Sequence, residues 1–282
     1  MTIQPLLSKQ HFLDDVASAQ TETNQCHVWW LGQSGFLVQW QNKHLLLDPY
    51  LSDSLTKKYA ETDKPHIRMT DHVIQPEQLD FIQVATSSHN HTDHLDGETL
   101  APLMKVNPSL KLVIPEANRI FVSNRLGCAN DWPLGLTDGE RITIDGFTFT
   151  GIPAAHNDLE TDEAGRHKFM GYIVEFGPWT LYHSGDTLWY DDLLTKLAPW
   201  PRVDLAILPI NGNKPERRVA GNLNGREAAQ VAKKMGAQCV IPCHFEMFTF
   251  NTASPDEFIT EAANLGQPYR VLRAGERWTS SK

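Results

Sequence analysis

The chain has 282 residues, of which 41% are hydrophobic and 21% are charged, and its formal net charge is −9. This length allows a sizeable core, and the composition is too polar for a membrane protein. The acidic balance argues against nucleic acid as a partner, because nucleic-acid-binding proteins usually carry a basic surface. No low-complexity stretch or flexible linker divides the sequence, which predicts one domain over residues 1–282.

The first twelve residues lack the apolar stretch and the cleavage site of a secretory signal, and no apolar run is long enough to span a bilayer. The four cysteines form no CxxC pair, which is typical of reduced thiols. We therefore expect a cytoplasmic protein with no stable insertion into a membrane.

The apolar pattern of the N-terminal part predicts a helix followed by strands. The helix covers Ser8–Ala19. The predicted strands are short apolar runs separated by turn residues: His27–Leu31, Gly35–Trp40, Lys43–Asp48 and Phe81–Thr86. The segment Leu51–Pro76 is polar and contains prolines, which predicts a loop or a lid.

The rest of the chain mixes strands with three helices. One helix covers Asp96–Val106, a second begins at Asn224 with Glu227 as its capping-box partner, and a third begins at Ser254. The predicted strands are Lys111–Ile114, Arg141–Thr150, Met170–Phe176, Trp179–Tyr182, Asp204–Pro209, Cys239–Pro242 and Tyr269–Leu272. This order fits two mixed sheets with helices on the outside, and it fits neither a βαβ repeat nor an all-β sandwich.

A dense cluster of metal-ligand residues follows the strand Phe81–Thr86. His89, His91, Asp93 and His94 lie within six positions. Imidazole and carboxylate are ligands that Zn²⁺, Mn²⁺ and Fe²⁺ accept. The cluster contains two overlapping pairs, one for each of two metals. A solvated polar turn is the alternative interpretation, and the density of histidines argues against it.

Three further residues occupy similar places, just after apolar runs. They are His156, Asp186 and His244. Each one alone is a weak signal, because a histidine at the end of a strand is more often structural than a ligand. Together they supply a third ligand for each metal and a bridging carboxylate.

The order of these seven residues resembles the metallo-β-lactamase superfamily. That resemblance implies an α/β fold built as a four-layer αββα sandwich, with the site at one edge between the two sheets. It implies a first metal held by His89, His91 and His156. The second metal would be held by Asp93, His94 and His244. Asp186 would bridge the two.

Four blocks resemble, more narrowly, the L-ascorbate-6-phosphate lactonases of this superfamily. The blocks are Val28–Gly35, Ala85–Asp96, Leu181–Thr187 and Val240–His244. The resemblance implies a lactonase-like hydrolase that forms a homo-oligomer and acts on a small, anionic molecule such as a phosphorylated sugar acid. It also implies two divalent metal ions, Mn²⁺ or Zn²⁺ with Fe²⁺ as a further option.

The implied mechanism uses water activated by two metals, so that no serine or cysteine nucleophile is needed. Asp93 would orient that nucleophile as well as bind metal. His183, three positions before Asp186, is a second catalytic candidate, as a donor to the substrate or a partner of a ligand. Asp48 ends a strand and is predicted to hydrogen-bond a metal-binding histidine. A basic group is the candidate for gripping a substrate phosphate, with a solvated loop as the alternative: Lys214, Arg217 and Arg218.

Two other functions remain open from the sequence. The first is a phosphodiesterase of the same fold, acting on phospholipid headgroups, cyclic nucleotides or RNA. The second is a non-hydrolytic protein, either a redox di-iron protein or a metal-binding regulator. Di-iron relatives usually carry a carboxylate where His91 stands, and usually an additional flavin domain, which argues against that function.

Overall fold

The computed structural model describes residues 2–280, which form two mixed β-sheets. In chain order the strands are β1 (Cys26–Gly32), β2 (Gly35–Trp40), β3 (Lys43–Leu47), β4 (Val84–Thr86), β5 (Lys111–Pro115), β6 (Leu134–Leu136), β7 (Arg141–Ile144), β8 (Phe147–Pro153), β9 (Met170–Phe176), β10 (Trp179–His183), β11 (Leu205–Pro209), β12 (Val240–Cys243) and β13 (Arg277–Thr279). The first sheet has the order β13-β1-β2-β3-β4-β5-β6, and the second has the order β12-β11-β10-β9-β8-β7.

The α-helices lie outside the two sheets. They are α1 (Lys9–Ala19), α2 (Ser54–Lys58), α3 (Gly97–Val106), α4 (Arg119–Leu126), α5 (Leu193–Leu197), α6 (Gly225–Lys234) and α7 (Asp256–Asn264). Short 3₁₀ turns occur at Pro76–Gln78, Glu116–Asn118 and Pro215–Arg217. Among residues 2–280, none of the helices has the length and apolar character needed to cross a bilayer.

Strand β1 shows how the layers form, because both of its faces are buried. Val28 and Trp30 belong to the core between the sheets, whereas Trp29 belongs to the core beneath the helices. This alternation follows from the two-residue period of a strand. Phe12 of α1 packs edge-on against Trp29, with ring centroids 6.3 Å apart.

The second sheet is covered on its outer face by α6 and α7. The capping box is confirmed: Asn224 Oδ1 accepts from the Glu227 amide at 2.9 Å, and Glu227 Oε2 accepts from the Asn224 amide at 2.9 Å. Ala228 and Val231 of α6 and Phe258 of α7 lie in the core with the sheet. Helices therefore lie on the outside of both sheets, and the predicted αββα sandwich is confirmed.

The predicted last strand, Tyr269–Leu272, is wrong. Tyr269 makes a single bridge to Val240, after which the chain leaves the second sheet. Leu272 is buried without belonging to a strand, so its apolar character reflects packing and not pairing. The last strand is β13, which pairs antiparallel with β1 in the first sheet.

Two other predicted boundaries need correction. The run Arg141–Thr150 contains a hairpin, because Asp145 and Gly146 turn with φ of 52° and 86°. The segment Leu51–Pro76, predicted as a loop or a lid, contains the helix α2 and is held by an ion pair and a main-chain hydrogen bond. Arg68 ion-pairs with Asp53 at 2.6 Å, and the Met69 amide donates to the Met247 carbonyl at 2.8 Å.

Candidate metal centre

The seven predicted ligands converge because they follow the ends of four strands. The cluster His89–His94 follows β4, and three single ligands of the second sheet come after β8, β10 and β12. Those three strands run in one direction, so their carboxyl ends meet at one edge of the sheet. The ligands that follow them are His156, Asp186 and His244.

The side chains form overlapping groups whose ligand atoms lie within 4.8 Å of one another. One group contains His89, His91 and His156, and a second contains Asp93, His94 and His244. A third combination contains His89, His94 and Asp186, which connects the other two. These groups contain the residues of the two ligand sets, and the linking carboxylate, that the superfamily resemblance implies.

Asp186 spans the two main groups. Its Oδ1 lies 3.3 Å from His94 Nε2, and its Oδ2 lies 3.3 Å from His244 Nε2 and 3.5 Å from His156 Nε2. Two ligands that share one cation at about 2.1 Å are separated by roughly 3 to 3.5 Å. The Asp186 carboxylate therefore lies at ligand-sharing distance from histidines of both groups.

Several ligand atoms in the described chain are buried without a hydrogen-bond partner. His89 Nε2, His94 Nε2 and Asp186 Oδ1 are among them, the last two lying 3.3 Å apart without forming a hydrogen bond. Buried polar atoms are normally satisfied, so three orphaned atoms at one point indicate a missing partner. Divalent cations bound by imidazole and carboxylate would satisfy all three, and the residues therefore fit a metal centre.

The opposite ring nitrogens of three of these histidines are already engaged. His94 Nδ1 lies 2.7 Å from Asp48 Oδ2, His89 Nδ1 lies 3.0 Å from Ser88 Oγ, and His156 Nδ1 lies 2.8 Å from the Gly221 carbonyl. Such contacts fix the ring orientation and leave Nε2 for a metal.

The electrostatics favour ionised carboxylates at the centre. Burial raises the pKa of both Asp93 and Asp186, but the imidazoles of His94 and His244 outweigh burial and hold both pKa values well below the usual range. Burial, helped by His156, lowers the pKa of His91 to about 4. Burial also lowers the pKa of His244, but Asp186 and Asp93 overcome it and raise that pKa to about 9.

The backbone around the centre is strained. Gln33, Asp48, Asn157 and His244 have φ of 51°, 38°, 108° and 63°, although none is glycine. Such conformations persist when surrounding contacts impose them, and they concentrate at functional sites. Gly185 has φ of 60°, and an added Cβ would lie 2.6 Å from the Ser88 Cβ, so only glycine fits there.

A cavity of about 480 Å³ opens onto the candidate ligands. His91, Asp93, His156, Asp186 and His244 lie in its wall. Four basic side chains also line it: Lys58, Lys64, Arg125 and Arg218. The cavity is therefore a basic pocket in an acidic protein.

Of the three residues predicted to bind a substrate phosphate, one lines the cavity and two do not. Arg218 lines the cavity, where it pairs with Asp63. Arg217 lies outside the cavity lining, where it donates to the carbonyls of Asn211 and Thr252 at 2.7 Å each and to Asn251 Oδ1 at 3.1 Å. Lys214 is exposed outside the cavity lining. A phosphate in this cavity would therefore meet Arg218 but neither of the other two.

His183 is buried and lies outside the cavity lining. Its Nε2 lies 3.1 Å from the Ser34 carbonyl, and burial lowers its pKa. In that position His183 cannot contact a substrate in this cavity. It can act indirectly, because its partner Ser34 is next to Gln33, which lines the cavity.

Sequence reasoning missed several residues of the cavity, including Gln33, Lys58, Lys64, His66 and Arg125. Gln33 stands inside one of the blocks that carry the lactonase resemblance, which is the one signal that could have indicated it. The other four lie on α2, α4 and the segment between α2 and β4, where no motif surrounds them.

Comparison with known proteins places this site in a family. The model of a β-lactamase superfamily domain matches residues 27–244, which include all seven candidate ligands. The chain belongs to the metallo-β-lactamase superfamily. A similar relative is a UPF0173 metal-dependent hydrolase of Alkaliphilus metalliredigens, 29% identical over 82% of this chain and 90% of the relative. The protein is accordingly a metal-dependent hydrolase of this fold.

Two solved structures show the same fold at low identity. The metallo-β-lactamase fold protein YhfI from Bacillus subtilis has a TM-score of 0.65 and 20% identity, over 91% of this chain and 99% of that one. An isothiocyanate hydrolase from Delia radicum gut bacteria has a TM-score of 0.68 and 17% identity, over 89% and 98%. At these identities the superfamily fold is shared, and the substrate is not implied.

Proposed function

We propose that this metallo-β-lactamase-fold hydrolase opens the lactone ring of a small, anionic sugar acid, a phosphorylated one above all. The observation that carries the proposal is the charge around the cavity. In the described part of the chain, Lys58, Lys64 and Arg125 make no ion pair with a carboxylate within 4 Å. Unpaired cations beside a reactive centre favour an anionic substrate.

The polar lining supports a hydroxylated molecule of modest size. Asn90, Thr92 and Asn251 offer amide and hydroxyl groups, and Tyr59 and Phe248 offer aromatic faces. The cavity of about 480 Å³ suits a monosaccharide derivative, since pockets for small ligands usually measure 300 to 1,000 Å³. The four blocks that resemble L-ascorbate-6-phosphate lactonases agree with this class.

The candidate metal ligands define the chemistry of the proposal. His89, His91 and His156 would hold one cation, Asp93, His94 and His244 the other, with Asp186 between them. Bound divalent cations would supply Lewis acidity and a water of lowered pKa. In the net reaction the water oxygen bonds to the lactone carbonyl carbon, the ring C–O bond breaks, and the ring oxygen takes a proton to give a hydroxy acid.

The chain's own groups would orient this reaction. Asp93 lies in the cavity wall with its side chain 14% exposed, so its carboxylate can hydrogen-bond the attacking water. The basic side chains would hold the anionic end of the substrate away from the ligands. Lys58 and Lys64 lie on α2 and the segment after it, and Arg125 lies on α4.

The test is a parallel assay of the Mn²⁺-loaded and Zn²⁺-loaded protein on a phosphorylated sugar lactone, a neutral lactone and a generic phosphodiester. The proposal predicts metal-dependent opening of the phosphorylated lactone, lost in His91→Ala and retained in His11→Ala, a variant of an exposed histidine. Cleavage of the phosphodiester alone would establish the phosphodiesterase instead. Activity that survives in His91→Ala would refute the metal centre.

A further inference from the structure

The turn between β1 and β2 lies directly against the second group of candidate ligands. Gln33 and Ser34 form it, and both Gln33 and the preceding Gly32, at the end of β1, have left-handed backbone conformations, with φ of 51° and 98°. Glycine adopts this conformation freely, but glutamine does so only under constraint. An added Cβ on Gly32 would lie 2.4 Å from Met247 Cε, so the Gly32 backbone lies close to the Met247 side chain.

Hydrogen bonds from both sheets hold this turn. The Gln33 carbonyl accepts from Trp30 Nε1 at 2.9 Å and from the His244 amide at 3.0 Å. The next carbonyl, that of Ser34, lies 3.1 Å from His183 Nε2. The turn is therefore attached to the end of β10 through His183 and to the end of β12 through His244.

The Gln33 side chain points into the centre from this fixed turn. It is 3% exposed, and its Nε2 donates to Asp93 Oδ2 at 2.8 Å. The same amide lies against the His244 ring, 3.0 Å from Nε2 and 3.4 Å from Nδ1. Gln33 thus contacts two members of the second ligand group at once.

Asp93 depends on this contact more than the other members of its group do. His94 and His244 are buried, and His94 is held by Asp48. The Asp93 side chain is 14% exposed, and its distances to the two histidines are 3.6 Å each. Among the described residues, Gln33 alone donates a hydrogen bond to the Asp93 carboxylate, at 2.8 Å.

We propose that Gln33 is a positioning residue of the second metal group, whose amide fixes the Asp93 carboxylate for a cation shared with His94 and His244. His183 acts indirectly, by contacting the Ser34 carbonyl in the turn that carries Gln33. The inference rests on the metal-centre assignment and not on the substrate. Partners of metal ligands typically change metal affinity by about 10-fold to 100-fold when they are removed.

The experiment is titration of the metal-free protein with Mn²⁺, followed by calorimetry and by electron paramagnetic resonance of the bound ion. Gln33→Met keeps the length of the side chain and removes the amide. We expect one cation to bind as in the wild type and the other about 10-fold to 100-fold more weakly. The matched control is Gln39→Met, which replaces a buried glutamine of the same hairpin away from the site, and which should retain both affinities.

Two further variants keep the inference falsifiable. Gln33→Asn tolerates the left-handed conformation but is one methylene shorter, so it should lose the same affinity even if Gln33→Met fails to fold. Gln33→Glu should also weaken binding, because it places a second carboxylate against Asp93. Unchanged affinities in Gln33→Asn would overturn the inference, and tighter Mn²⁺ binding in Gln33→Glu would make position 33 a ligand position instead.

This test does not depend on the proposed substrate, because the titration contains Mn²⁺ and protein but no substrate. A protein that binds two cations and binds one of them about 10-fold to 100-fold more weakly in Gln33→Asn, yet opens no lactone, would retain this inference and refute the proposed function. A wild-type protein that binds fewer than two cations would overturn the metal-centre assignment and this inference with it.

Discussion

Nδ1 of His94 lies 2.7 Å from Oδ2 of Asp48, and both side chains are completely buried. The other oxygen of Asp48 accepts from Thr86 Oγ1 and from the Ser88 amide, at 3.0 Å each. These contacts fix the carboxylate, which in turn fixes the imidazole with Nε2 toward the other ligands. Asp48 thus occupies the position that an orienting partner of the candidate ligand His94 would take.

We predict that Asp48→Asn weakens metal binding without unfolding the protein. The amide keeps the volume of the carboxylate, but its nitrogen cannot accept a hydrogen bond from His94 Nδ1. The affinity for one of two cations should fall by about 10-fold to 100-fold, measured by calorimetric titration with Mn²⁺. Asp14→Asn, on the exposed side of α1, is the control. Full metal affinity in Asp48→Asn would show that Asp48 is only part of the fold.

A second prediction concerns the metal-free protein in alkaline solution. The folded pKa of His244 is about 9, raised by Asp186 and Asp93 against the effect of burial, and its ordinary value is 6.5. Stability from this charge is fully present below pH 6.5 and is lost as pH rises to about 9. The free energy of unfolding of chelated protein should therefore fall across this window, by up to about 1.4 kcal/mol per pH unit for one proton.

The measurement is urea unfolding of the chelated protein at several pH values, with and without Mn²⁺. A cation takes the place of the proton, so the loss of stability should shrink when metal is present, and metal affinity should rise with pH over the same range. His244→Gln should reduce the slope of this profile for the chelated protein, and the remaining slope belongs to His94, whose pKa Asp186 and Asp93 also raise against the effect of burial. A metal-free protein that becomes more stable between pH 6.5 and 9 would contradict the assigned charge of His244.

The acid side of the stability profile should depend on His44, far from the metal centre. Burial lowers the pKa of this histidine from 6.5 to about 4. Its contribution to stability is therefore present above pH 6.5 and is lost as pH falls toward 4. We predict that His44→Gln loses less stability than the wild type over this interval, measured by urea unfolding.

The control for this prediction is Phe81→Leu. The Phe81 ring packs edge-on against His44 at 4.7 Å, and its replacement removes a contact but no titratable group. This variant should be less stable at every pH, and its slope should lie between those of the wild type and His44→Gln, because the lost ring leaves His44 less buried. An equal slope in His44→Gln and the wild type would show that another group titrates in this range.

The candidate metal ligands stand out in the sequence because most of them are close together in it. His89 to His94 form one contiguous motif, and the remaining ligands follow apolar strands that the residue pattern identifies. The sandwich could be predicted for the same reason, since its long strands alternate or run apolar. Both predictions rest on patterns formed by residues that are close together in the sequence.

The substrate side of the cavity could not be predicted in the same way. Helix α4 was missed because its outward residues are apolar, with Ile120 and Phe121 58% and 42% exposed, so no helical period stands out. Arg125, on this helix, reaches the cavity by donating to the Asn90 and Leu95 carbonyls. Lys214 and Arg217 looked suitable because they are close to Arg218 in sequence, but only the fold decides which cations converge.

The last prediction tests the basic wall of the cavity through Lys58. Its ammonium group donates to Thr92 Oγ1 at 3.3 Å and lies 5.1 Å from the Tyr59 ring centroid, so its charge is available to a substrate. A hydrogen bond to a charged group contributes about 1.5 kcal/mol or more, which corresponds to at least about 10-fold in binding. We expect Lys58→Met to raise KM about 10-fold for a phosphorylated sugar lactone, with little change in kcat.

Three comparisons make the Lys58 result specific. The unphosphorylated lactone should show little change, because it has no anionic group to lose the contact. Lys58→Arg should restore most of the lost binding, since the charge returns. Lys214→Met removes an exposed lysine that lies outside the cavity, and it should behave as the wild type. Equal effects of Lys58→Met on both lactones would mean that Lys58 shapes the cavity without binding the anion, and the substrate phosphate would then have to lie nearer Lys64 or Arg125.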